Sequence, residues 1–114
     1  MNEGLIARLE TAPVGNHELD RAMMQAIGYS NVGPGPDAWQ EPNDGAGPVA
    51  MVSIGTQPFT TSLDVLVMRM PKDVGWAVGV DRGIPCASVG SLRIAKGATL
   101  PLALCIALLR AGET

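Results

Sequence analysis

The sequence predicts an α+β domain: a small antiparallel sheet of two to three strands packed between helices, in the order α-α-β-α-β-β-α. Three observations predict it. An amphipathic helix pattern lies near the N-terminus, a short apolar segment ends at Pro71, and two strand-like stretches precede a nearly all-apolar final helix. At 114 residues the chain forms one domain, 1–114, with a single modest core.

The first helix is short. Leu5, Ile6 and Leu9 fall on one side of it, and Pro13 and Gly15 end it. The second starts near Asn16, whose side chain can accept a free backbone N–H. Glu18 and Asp20 occupy its first turn, where the helix dipole favours negative charge. Leu19, Ala22, Met23, Ala26 and Ile27 then recur at helical spacing and define an inward face, and Gly28 is the stop.

From Tyr29 to Pro48 the composition shifts to Gly, Pro, Asn and Asp. Gly33-Pro34-Gly35-Pro36 cannot supply regular backbone hydrogen bonds, because proline has no N–H, so this stretch is expected to be a long loop. Residues 49–54, Val-Ala-Met-Val-Ser-Ile, fit a short strand with two apolar faces.

Over residues 60–70, Leu63, Leu66, Val67 and Met70 match helical spacing, although Val65 and Val67 also suit a strand. The ends decide for a helix: Thr61 with Asp64 resembles a capping box, and Pro71 is a stop. Val74, Trp76, Val78 and Val80 alternate with Gly75, Ala77 and Gly79, which is strand period, and places Trp76 in the core. Asp81-Arg82-Gly83 reads as a turn, and a further strand, bulged near Gly90, runs roughly from Ile84 to Ile94. The final helix covers about Ala98 to Ala111, with Thr99 as N-cap and Gly112 as stop. Its apolar residues surround the axis, so it is either central or pressed against another chain.

The formal charge of −3 is uneven. Residues 1–47 hold two basic and seven acidic residues, a balance of −5, and residues 48–114 hold six and four, a balance of +2. This argues against a nucleic-acid-binding protein, which would show a basic stripe. An acidic N-terminal half could instead mimic nucleic-acid charge toward a basic partner. Cys86 and Cys105 are too few and too far apart for a disulfide framework or a zinc knuckle, and a buried reduced thiol is expected at Cys105. Met1-Asn2-Glu3-Gly4 has neither the basic start nor the apolar stretch of a signal peptide. No run reaches the length of a membrane helix, so the bacterial cytoplasm is the expected location.

Catalytic chemistry has few carriers. His17 is the only histidine and is read as a surface residue beside a helix cap; a dyad with Cys86 or Cys105 would need a contact across the fold. One histidine and scattered carboxylates do not make a metal cage. The segments Gly33–Ala38 and Gly45–Ala50 formally match a dinucleotide fingerprint, but neither follows a strand nor opens a helix, and proline removes N–H groups that phosphates need. No catalytic residue, cofactor or metal is therefore expected. Trp39, in the polar loop with Asp37, Glu41 and Asp44 nearby, either folds back on the core or anchors an interface, and these four residues are the candidates for protein contact.

The pieces Leu5-Ile6-Ala7-Arg8-Leu9-Glu10, Glu18-Leu19-Asp20 with its helix ending in Ile27-Gly28-Tyr29, and Pro58-Phe59-Thr60-Thr61-Ser62-Leu63-Asp64 occur in that order. Gly75-Trp76 follows the break at Pro71, and Leu100-Pro101-Leu102-Ala103-Leu104-Cys105-Ile106-Ala107-Leu108-Leu109-Arg110-Ala111 closes the series. In this the chain resembles small phage- and prophage-encoded proteins of the phage ABA-sandwich type, over about two thirds of its length. The Gly/Pro-rich 33–48 and the plain 74–95 depart from the family's more aromatic middle and its Trp/Arg-rich strands. The resemblance implies helices on both sides of a small sheet, and it carries no assigned activity. The expectation is a non-catalytic accessory protein that binds a host or phage protein, with an inhibitor of host defence such as an anti-CRISPR as a sub-case. The alternative is a self-assembling or virion-associated module that uses helix 98–111 as its oligomer contact; a small enzyme or ligand-binding domain ranks below both.

Overall fold

The computed structural model describes residues 3–31, 37–40, 55–68, 70, 74–90 and 94–112. The chain runs α1 (Glu3–Thr11), α2 (His17–Ala26), β1 (Ser30–Asn31), β2 (Trp39–Gln40), α3 (Leu63–Met68), β3 (Trp76–Asp81), β4 (Ile84–Val89), β5 (Ala95–Lys96) and α4 (Leu100–Gly112). The α+β class stands: four helices with two small antiparallel sheets, β1-β2 and β3-β4-β5, packed against them. The strand expected over 49–54 and the candidates Glu41 and Asp44 lie outside the described residues.

Helix α4 is the organising element. Leu102, Ala103, Leu104, Cys105 and Ile106 are fully buried, and β4, β5, α1 and α3 all pack on it. An apolar sequence with no polar face requires this enclosure, since any exposed side would leave large side chains in water. The helix is central, and most of its apolar surface is packed inside its own chain, with Leu108 and Ala111 only partly buried. Thr99 caps it as expected: its Oγ1 accepts from Leu102 N–H at 3.3 Å and its carbonyl from Ala103 N–H at 3.0 Å. Pro101 falls in the first turn, where a missing N–H costs nothing.

The N-terminal helices follow the sequence closely. Ile6 and Leu9 of α1 are buried, as are Leu19, Met23 and Met24 of α2. Asn16 caps α2 by accepting from Leu19 N–H at 2.9 Å. At the other end Gly28 has φ of 108°, and Tyr29 N–H reaches back to the Met24 carbonyl at 2.9 Å. That left-handed turn closes the helix and explains why glycine stands there.

Three local expectations are corrected. The N-cap of α3 is Ser62, whose Oγ accepts from Val65 N–H at 3.4 Å, while the Thr61 hydroxyl turns back to the Pro58 carbonyl. The stretch 29–48 is not wholly loop, because Ser30 pairs with Gln40 and Asn31 with Trp39. The single strand expected over 84–94 is two: the chain reverses beyond Gly90 (φ 67°), and Ala95–Lys96 returns antiparallel to pair with Cys86 and Ala87. A bulge signal at a glycine was in fact a turn signal, since a positive φ there ends the strand.

In the larger sheet, β3 and β4 pair from Trp76↔Val89 to Asp81↔Ile84 around the two-residue turn Arg82-Gly83. Both turn residues have positive φ, 53° and 81°, which matches the right-handed twist of the flanking strands. Ala87, Val89 and Ala95 point into the core and are buried. β3, at the outer edge, is exposed along most of its length.

Candidate functional site

Asp37 is held by a polar cluster built on α2. His17 and Arg21 lie one helical turn apart, so both project from the same face. Between them they grip Asp37: His17 Nε2 lies 2.7 Å from Asp37 Oδ1, Arg21 Nε donates to the same oxygen at 3.0 Å, and Arg21 Nη2 reaches Oδ2 at 3.4 Å. Thr56 Oγ1 also donates to Oδ1, at 2.7 Å, and itself accepts from the indole N–H of Trp39 at 2.9 Å. Hydrogen bonds from Arg21, then Thr56, then His17 hold the Asp37 carboxyl far below the usual carboxylate range.

This cluster decides the role of two sequence-predicted residues. Trp39 is 5% exposed and belongs to the core, with its one polar atom satisfied by Thr56. The option of Trp39 as an interface anchor therefore gives way to the other option, a ring folded onto the core. Asp37 remains partly open to solvent, but its charge is already engaged by Arg21.

A second polar knot is buried. Asp20 accepts from the backbone N–H of Thr60 at 2.8 Å and from the Thr60 hydroxyl, while Asn16 N–H donates to Thr60 Oγ1 at 3.1 Å. Sequence reasoning placed Asp20 in the first turn for the sake of the dipole. Its position three residues before Met23 and seven before Ile27 was the missed signal that it faces inward.

The histidine and the cysteines do not form a dyad. Cys105 Sγ donates to the Phe59 carbonyl at 3.4 Å and Cys86 Sγ to the Ile84 carbonyl at 3.1 Å, while His17 is paired with Asp37. Burial, followed by the nearby Asp20 charge, pushes the Cys105 thiol well up, which disfavours the thiolate that nucleophilic chemistry needs. Among the described residues no group of three or more His, Cys, Asp or Glu side chains is placed to hold a metal ion. Among them, too, no helix is long and apolar enough to cross a membrane.

The outward-facing apolar surface gathers instead on the three-stranded sheet. Trp76, expected in the core, is 40% exposed because β3 extends beyond the cover that α4 provides; Val80 is 65% exposed. On the face turned from α4, Ile84 and Ile94 are exposed at 44% and 64%. Ala77, Gly79, Cys86 and Ser88 pave a shallow, open depression beside Ile94. The alternation of small residues in β3 creates it, since Ala77 presents only a methyl group and Gly79 no side chain to fill the space. In comparisons with known proteins, no family model, no curated protein and no solved structure matches the chain.

Proposed function

We propose that the chain is a non-catalytic phage or prophage accessory protein that acts by binding another protein through the open face of its three-stranded sheet. The observation that carries this reading is the exposed Ile94 at the rim of the small-residue depression, with Ile84 exposed on the same face of the sheet. Large apolar side chains that flank a recess of small ones offer a partner both contact area and a place to insert. The phage origin is supported by the sequence resemblance to the ABA-sandwich type. An inhibitor of a host defence enzyme, such as an anti-CRISPR, is the sub-case of most interest.

The test is a tagged pull-down from host lysate with bound proteins identified by mass spectrometry, run beside the double variant Ile84→Asp/Ile94→Asp. One stoichiometric host protein that is captured by the parent and lost with the variant, at unchanged melting temperature, supports the reading. A nuclease or a defence-complex subunit in that position identifies the inhibitor sub-case. Recovery of the bait alone, or capture that the double variant leaves intact, removes the sheet face from consideration.

A further inference from the structure

The outer edge of β3 goes beyond that reading, because it lies along the side of the sheet rather than on its face. Gly90 N–H donates to the Gly75 carbonyl at 2.6 Å, so Gly75 directs its backbone groups toward the β4 side. Backbone direction alternates along a strand. Ala77, Gly79 and Asp81 therefore also bond toward β4, and Trp76, Val78 and Val80 turn their N–H and C=O groups outward. On the far side of β4 the same parity holds: the Pro85 carbonyl accepts from Gly97 N–H at 3.2 Å. Among the described residues no strand pairs with the outer edge of β3. Such an edge is a template for another strand, and β3 carries a single charge, Asp81, to discourage one.

We infer that this edge pairs with β3 of a second copy of the chain, antiparallel and two-fold symmetric about Val78. The outward groups are centred on Val78, so a copy rotated about that residue meets each outward N–H with an outward C=O: Trp76 pairs with Val80, Val78 with Val78, and Val80 with Trp76. The side chains match in the same register. Trp76 and Val80 are both partly exposed on the α4 side, and each is laid against the other across the axis. Asp81 then falls opposite Gly75, with no charge against it. A shift of two residues one way sets Val80 opposite Val74, which lies outside the strand. The opposite shift runs the ladder into the Arg82-Gly83 turn, where positive φ has already ended the strand. Loss of pairing on either side thus favours the register centred on Val78. One strand pair buries less than the about 1,200 Å² at which stable interfaces begin, so the dimer is weak and concentration-dependent.

Sedimentation velocity of the full chain, from low micromolar to millimolar, tests this. The parent should shift from monomer to dimer across that range. Val80→Lys, which places a charge against Trp76 across the axis, should lower the association constant at least tenfold with an unchanged circular dichroism spectrum. Val78→Pro removes an outward N–H and no bond to β4, and should do the same. If Val78→Pro does not fold, Val80→Lys decides alone, because that side chain is mostly in solvent. A parent that stays monomeric at millimolar concentration overturns the inference, and so does a dimer as strong in Val80→Lys as in the parent. A monomeric chain that still captures a host protein would sink the pairing and leave the binding function standing.

Discussion

The Asp20 carboxylate and Thr60, forty residues apart in sequence, are locked together in the interior: Thr60 donates both its backbone N–H and its hydroxyl to Asp20 Oδ1. Asp20 is 4% exposed and Thr60 fully buried. The contact ties the first turn of α2 to the segment that leads into α3. A buried carboxylate is tolerated only when its acceptor positions are filled, so each partner fixes the other.

Thr60→Val keeps the shape and removes the hydroxyl that donates to a buried charge. A loss of about 1.5–3 kcal/mol is expected, as for hydrogen bonds to charged groups. Urea unfolding midpoints of the two proteins measure it, and a change below about 0.5 kcal/mol would show that the hydroxyl contributes little.

Gly15→Ala tests the same junction sterically. A Cβ at residue 15 would stand 2.1 Å from the Thr60 carbonyl oxygen, so the backbone of one segment must move. The expected cost is about 1–3 kcal/mol, typical of overpacking. Because the two sites touch, the double variant with Thr60→Val should depart from additivity, which a double-mutant cycle reads directly.

Trp39→Ala should behave as a core truncation, with a loss of about 3–5 kcal/mol in thermal or chemical unfolding. Trp39→Phe keeps most of the ring and loses only the bond to Thr56, so its effect should be much smaller. A melting temperature left nearly unchanged by Trp39→Ala would instead return the ring to the surface.

The Asp37 cluster sets a pH dependence. The folded carboxyl lies below its ordinary value of 3.8, so the folded state holds fewer protons than the unfolded state as the solution is acidified. Its contribution is therefore complete above that ordinary value and is lost as pH falls through the lower, folded one. Asp37→Asn should flatten that part of the acid limb. Unfolding free energies of parent and variant between neutral pH and the acid transition check it; parallel curves would show that the carboxylate is not engaged in solution.

How far the residues disclose this structure depends on how local each cause is. The caps at Asn16 and Thr99 were legible because a cap is a contact between residues three apart. The face of α2 was legible for the same reason, and so was the Arg82-Gly83 turn. Ser62 displaced Thr61 as a cap because two adjacent hydroxyls are equivalent in sequence, and only the entry angle of the chain separates them. Trp76 was misplaced because alternation assigns a residue to a face without saying whether that face is covered at its end of the sheet. The Asp37–Arg21–His17–Thr56 cluster was not legible at all. Its members were visible singly, Asp37 as a candidate contact and His17 as a surface residue, but spacing carries no sign of their meeting.

The element types and the α+β class follow from periodicity and chain breakers, which act over a few residues and are written directly in the order of side chains. The placement of α4 at the centre, the burial of Trp39 and the open edge of β3 follow from packing. Each depends on which surfaces distant segments cover, a competition among many weak contacts that no short window of sequence contains.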